Sequence, residues 1–150
     1  MAVLRDHPYA QFNFLVDLGA GDTESPEAGF QECSAIGMSI EVIEYRNGND
    51  KVNGVRKLPG LARAGDVTLK RGVIGSLNLY KWIDQVRNGD PGGRRNVLIQ
   101  LRSEDHTQVV LTWRLLGAFP VKLSCGPLDA KGTDVAIEEL TLAYERLELE

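Results

Sequence analysis

The sequence predicts a mainly β domain braced by a single amphipathic helix. Three observations carry this: one stretch with a 3.6-residue apolar period and clear ends, several stretches with a two-residue period on either side of it, and a length of 150 residues, which suits one domain, 1–150, with its own core. The helix falls at about 76–88, where Leu79, Trp82, Ile83 and Val86 stand at i, i+3, i+4 and i+7, while Lys81, Asp84, Gln85 and Arg87 take the opposite side. Ser76 can accept a hydrogen bond from a first-turn N–H, and Asn88-Gly89 followed by Pro91 supplies a left-handed stop and a residue unable to continue. Its stripe needs an apolar surface to lie on. The large apolar surfaces elsewhere in the chain are strand faces, so the helix is expected to cover a sheet.

In chain order, Phe12, Phe14, Val16 and Leu18 alternate with polar residues as a half-buried strand does, and 19–29 is a turn-rich connection. A hairpin is predicted across Gly37, with Phe30 to Ile36 as one arm and Met38 to Tyr45 as the other. The second arm has Met38, Ile40 and Val42 on one face and Ile43 and Tyr45 on the other, which is the pattern of a strand covered on both sides in an oligomer. From Arg46 to Ala64 periodicity disappears: Asn47-Gly48-Asn49-Asp50 and Asn53-Gly54 form turns, and Leu58-Pro59-Gly60-Leu61 is apolar without a period. A nineteen-residue irregular segment is uncommon in a compact domain, and its Val52, Val55, Leu58 and Leu61 are poor choices for a solvated linker. We read 46–64 as an assembly loop.

Asp66 to Arg71 is a short strand leading through Gly72 and Gly75 into the helix. After the turn cluster 89–93, strands are expected at Val97 to Arg102 and Gln108 to Phe119, with a break at Pro120 before a further strand from Val121 to Cys125. The segment from Val135 to Leu149 fits two patterns. Ile137, Leu140, Tyr144 and Leu147 suit a helix, whereas Leu140, Leu142 and Tyr144 against Glu139, Thr141 and Glu145 suit a strand.

Composition narrows the function classes. With 43% hydrophobic and 25% charged residues the chain is an ordinary globular one, and a net charge of −4 argues against a general nucleic-acid binder. The basic pairs Arg56-Lys57, Lys70-Arg71 and Arg94-Arg95 lack interleaved aromatics that could stack on bases. Cys33 and Cys125 lie apart, outside any metal-spaced cluster, and read as small buried side chains. The N-terminal residues lack the apolar core of a secretion signal and no run of about 20 apolar residues occurs, so synthesis in the cytoplasm is expected. His7 and His106 have no ligand-spaced neighbours. The glycines at 89–93 lack the Lys-Ser/Thr of a phosphate loop, no serine sits in a nucleophile elbow, and Tyr80-Lys81-Trp82 reads as core rather than as a sugar platform. No catalytic group, metal or cofactor is expected.

Several runs together resemble the inner tube proteins of contractile phage tails and extracellular contractile injection systems. They are Pro8-Tyr9-Ala10-Gln11-Phe12-Asn13-Phe14, then Val42 to Asp50, then Val55-Arg56-Lys57-Leu58-Pro59-Gly60-Leu61 running into Val67 to Gly72 and Trp82-Ile83, and finally Ala118 to Lys122 with Asp134 to Leu140. The similarity covers nearly the whole chain, although 19–25 is longer than the family pattern. It implies two packed antiparallel sheets closing into a barrel-like body with one flanking helix, and hence a strand at the C-terminus. It also implies a structural, non-enzymatic subunit whose six-membered rings stack into a rigid tube inside a contractile sheath. Partners would then be further copies, the sheath protein, baseplate or tube-initiating and tube-terminating proteins, and protein or DNA cargo in the lumen, in a particle released by lysis. On this reading Tyr45, Arg46, Asn49, Val55, Arg56, Lys57, Leu58, Pro59 and Leu61 are expected at a subunit interface. The alternatives are a tube-initiating or baseplate homologue of the same fold, or a monomeric β-barrel that binds a small ligand.

Overall fold

The computed structural model describes residues 2–150. The strands before the helix are β1 (Phe14–Asp17), β2 (Glu32–Cys33), β3 (Met38–Tyr45), β4 (Arg56–Ala64) and β5 (Asp66–Gly72). After the helix α1 (Asn78–Arg87) come β6 (Arg95–Arg102), β7 (Val109–Cys125), β8 (Ile137–Ala143) and β9 (Arg146–Leu149), and short 3-10 turns at Pro26–Ala28 and Pro91–Gly93 precede β2 and β6. Every pairing is antiparallel.

The strand β7 joins the two sheets. Its first half lies between β6 and β9, its second half pairs with β8, and the strand order runs β1-β6-β7-β8-β5-β2. Two register shifts bend β7 from one sheet to the other, one beside Gly117 and one between Pro120 and Lys122. Gly117 sits at φ 64, where a side chain would be strained and would also press on Glu145. The break expected at Pro120 is therefore absent: Pro120 is accommodated beside a bulge, on a stretch of β7 that β6 no longer flanks. The expected two packed sheets are present, but β1 and β2 stand at the two ends of the order, each paired on one side only, so the barrel-like body is open.

Between the sheets, Val16, Val97, Ile99 and Leu115 meet Val67, Leu69, Leu140 and Leu142, and α1 contributes Leu79 and Trp82. Trp82 is 1% exposed; its Nε1 donates to the Gly93 carbonyl at 2.6 Å and the Arg95 guanidinium lies 4.7 Å from its ring. Gly93 must be glycine for that approach, because a Cβ there would come within 2.6 Å of Val86. Ile83 and Val86 are half-buried, Val86 against the core, while Tyr80 is exposed rather than core. Ser76, two residues before the helix, accepts at Oγ from the N–H of its first residue, Asn78, at 3.3 Å.

Alternation on β5 places Val67, Leu69 and Arg71 inward. Arg71, 1% exposed, donates from Nε to Glu138 Oε1 (2.6 Å), from Nη1 to the Glu27 carbonyl (2.7 Å) and from Nη2 to Asn78 Oδ1 (2.6 Å). A buried guanidinium is tolerable only when its donors are met by charge and by oxygen acceptors in this way. It ties β5, β8, the first 3-10 turn and the start of α1. At the other end of the body the N-terminal arm is held by Arg5, which grips Glu104 at 2.6 and 3.0 Å, stacks on Tyr9 and leaves Glu104 to accept from the Ala10 N–H. The Arg5 bond, then the Ala10 N–H, hold the Glu104 carboxyl down at about 2.

Three further expectations change. Residues 30–36 do not form a hairpin with 38–45; β2 pairs with β5, and β3 pairs with β4. The segment 46–64 is not irregular throughout, since 56–64 is the strand β4 and only the tip lacks strand pairing. Cys125 is exposed and Cys33 half-buried, with burial, then the neighbouring Glu32, pushing the Cys33 thiol up to about 11. The C-terminal segment resolves into the strands β8 and β9, with Leu140, Leu142 and Tyr144 buried.

Candidate assembly surface

The hairpin formed by β3 and β4 projects from the body without burying either strand. Its root is fixed: Gly37 exchanges hydrogen bonds with the Tyr144 hydroxyl, and the Gly65 N–H donates to the Gly37 carbonyl at 3.1 Å. Cross-strand partners share a face, so Met38 with Ala64, Ile40 with Ala62 and Val42 with Pro59 form one apolar side that ends in Glu44 with Lys57. The opposite side carries the Glu41–Arg63 pair, Ile43 with Leu58, and Tyr45 with Arg56. Val42 is 61% exposed and Leu61 71%. A register shift between Ile40 and Val42 brings Gly60 under β3, where a Cβ would lie 2.9 Å from the Glu41 carbonyl.

All the residues expected at the interface lie on this hairpin. Arg56, Lys57, Leu58, Pro59 and Leu61 are on β4, Tyr45 ends β3, Arg46 bonds the Val52 and Asp50 carbonyls across the tip, Asn49 is in the turn, and Val55 is exposed just before β4. Sequence reasoning left Met38, Ile40, Val42 and Ile43 off that interface set, although apolar residues on both faces of β3 were the signal. The hairpin is also electrically distinct. From 38 to 64 five basic residues (Arg46, Lys51, Arg56, Lys57 and Arg63) face three acidic ones (Glu41, Glu44 and Asp50), a charge of +2, so the rest of a chain at −4 carries −6.

Where the strand order ends, β1 and β2 face a cleft of about 740 Å³ whose lining includes Phe12, Phe14, Cys33, Ile36 and Trp113. Among the described residues no group of three or more His, Cys, Asp or Glu gathers as a metal site, and no helix is long and apolar enough to cross a membrane. What the geometry offers is therefore surface: an apolar two-faced hairpin and open sheet edges, both of which find stable use when another polypeptide covers them.

The structure is thus an open two-sheet body that projects an exposed, two-faced apolar hairpin. Residues 10–148 match the family model described as T4-like virus tail tube protein gp19, and the chain belongs to that family. The fold is shared with a chain of the PVC extracellular contractile injection system, solved as a sheath-tube complex in the extended state. That match has 28% identity, covers 97% of this chain and 93% of the other, and has a TM-score of 0.83. A chain of the anti-feeding prophage cap, a tube-terminating cap, is 27% identical over 100% of this chain and 95% of its own, with a TM-score of 0.82. A chain of the PVC sheath/tube terminator is 29% identical over 97% and 98%, also at 0.82. No curated protein sequence matches.

Proposed function

We propose that this protein is the repeating subunit of the inner tube of a contractile injection particle, forming six-membered rings that stack inside a sheath and are driven through a target envelope. The observation that carries the proposal is the β3–β4 hairpin, folded and fixed at its root yet exposed on two apolar faces, in a chain that belongs to a tail tube family. In a ring or stack those faces are buried at about 25 cal/mol per Å² of apolar surface, while Arg56 and Lys57 meet acidic surface of a neighbour and set register. The role is mechanical: the sheath supplies the work, and the subunit supplies stiffness and a channel for protein or DNA. Sheath, baseplate and terminating proteins are its expected partners, and no catalytic step is assigned to it.

A second reading is supported by the similarity to cap and terminator chains, which is as high as that to the sheath-tube complex. On that reading the protein sits only at a tube end. The ligand-binding monomer is less favoured, because the space between the sheets is filled by Leu69, Trp82, Leu115 and Leu140. Electron microscopy of the purified protein, alone and with sheath and baseplate proteins, separates the three. Six-fold rings stacked into tubes support the first reading, single rings capping other tubes the second, and monomers at every concentration and salt the third.

A further inference from the structure

We propose that Asn53 is a site of spontaneous covalent modification, where the side-chain amide is lost to water and a carboxylate is left near the tip of the β3–β4 hairpin, and that this change disables free subunits for assembly. The second half of the proposal rests on the tube reading; the first does not. Three asparagines, Asn47, Asn53 and Asn88, are followed by glycine. A glycine has no Cβ to shield its backbone nitrogen and bends freely toward the preceding side chain. In the step proposed, the Gly54 amide gives its proton to water, and its nitrogen bonds to Asn53 Cγ. The Cγ–Nδ2 bond breaks, and ammonia leaves with a proton returned by water. A second water then adds to either carbonyl of the cyclic imide and opens it. The products are aspartate, or isoaspartate in which the chain runs through the side chain. Overall, water is consumed, ammonia is released, and nothing is oxidised or reduced.

The structure discriminates among the three sites. Asn88 caps α1: its N–H donates to the Asp84 carbonyl, its Nδ2 donates to Asp84 Oδ2 at 3.4 Å, and the Gly89 N–H that would have to attack is held by the Val86 carbonyl at 3.0 Å. Asn47 is half-buried, its Oδ1 accepts from the Tyr45 hydroxyl, and its N–H and carbonyl both bond Asp50. Cyclisation at either must first undo such bonds. Asn53 is free of them. The tip is fastened as far as Val52, whose carbonyl accepts from Arg46, and strand pairing resumes at Arg56 with Tyr45. Between these points Asn53 and Gly54 are exposed, and among the described residues neither makes a hydrogen bond. A Cβ on Gly54 would meet nothing nearer than Val52 Cγ1 at 3.9 Å, so the segment has open space in which to bend. The new carboxylate lowers the charge of 38–64 from +2 to +1 just before Arg56 and Lys57, the residues assigned to register, and isoaspartate adds a carbon to the backbone ahead of β4.

Ageing the purified subunit in mildly alkaline buffer made with heavy-oxygen water tests both halves. Peptide mass spectrometry should show label entering at Asn53 several-fold ahead of Asn47 and Asn88, as a mixture of aspartate and isoaspartate. Gly54→Ala, whose Cβ fits and whose backbone is not left-handed, should keep the native circular dichroism and slow the conversion several-fold. Asn53→Gln, which cannot close the same ring, is the second variant and should stop it. Conversion at Asn47 or Asn88 as fast as at Asn53 would overturn the site. Aged wild-type protein should give fewer and shorter tubes than fresh protein, while the two aged variants assemble as they do when fresh. Equal loss in all three, or full-length tubes from converted wild type, would overturn the consequence for assembly and leave the site standing. Absence of tubes from fresh wild-type protein with its partners would overturn the tube reading, and the chemistry at Asn53 would stand without it.

Discussion

Leu69 and Val42 are both apolar residues in the middle of antiparallel strands, yet Leu69 is fully buried while Val42 is 61% exposed. The difference separates two regions with different tasks. In the body, the apolar side chains of the core have partners within the same chain, on the facing sheet or on α1, and the buried Arg71 has an acceptor for each of three donor groups. In the hairpin, apolar side chains lie on both faces and the subunit covers neither. The body's sequence is fitted to its own folding and, on the tube proposal, the hairpin's is fitted to a surface that a single copy lacks, so substitutions in the two regions should act on different measurements.

The largest effect on the subunit is expected from Trp82→Ala, which empties the helix-to-sheet contact and strands the Gly93 carbonyl. A loss of about 3 to 5 kcal/mol in chemical denaturation, or insolubility, is the expected outcome. Wild-type stability would mean that α1 does not brace the core. Glu138→Ala comes next, leaving the Arg71 charge buried without its carboxylate; with Asn78 and Glu27 still accepting, the cost should lie near the lower end of the roughly 3 to 5 kcal/mol known for broken buried pairs. An unchanged melting curve for that variant would contradict the bracing role given to Arg71.

In the hairpin, Arg56→Glu combined with Leu58→Ser should cost the folded subunit less than about 1 kcal/mol, since both side chains are exposed. Circular dichroism and melting should stay near native while microscopy shows short tubes or none. Normal tubes would remove the hairpin from the assembly surface, and an unfolded monomer would assign it to the subunit's own core. The smallest effect concerns the N-terminal arm. The folded pKa of Glu104, about 2, lies below the ordinary 4.5, so the Arg5–Glu104 grip is complete above pH 4.5 and weakens as pH falls toward 2. Proteolysis or amide exchange of residues 2–10 should rise over that window, and in Glu104→Gln it should be raised already at neutral pH.

The same contrast explains what could be read in the sequence. α1, β1, β5 and β6 announce themselves because each buries one face within the chain, so Leu79 and Trp82, or Val67 and Leu69, recur at the period of the element. β4 was missed because the expected alternation presupposes one wet face and one dry one, and Leu58, Pro59, Leu61 and Ala62 have both faces wet in the subunit. Proline misled in two places. Pro59 sits at a register shift in the hairpin, and Pro120 sits beside another where β7 has lost a neighbour, both of them settings in which a missing N–H is tolerated. The hairpin arms were mispaired because Gly37 and Gly65 bring β3 against β4 rather than against 30–36, a long-range choice that local patterns do not encode. The residues expected at the interface nevertheless lie together, since apolar and basic side chains in a turn-rich stretch are legible without knowing that a strand carries them.

Hydrogen–deuterium exchange followed by peptide in free subunits and in assembled tubes tests the division most directly. Peptides covering 38–64 should exchange readily in the free subunit and become strongly protected in tubes, while peptides from β5, β6 and β8 should be protected to a similar degree in both. Equal, rapid exchange of 38–64 in free and assembled protein would contradict the account, because the hairpin would then remain uncovered in the very assembly that its sequence is argued to serve.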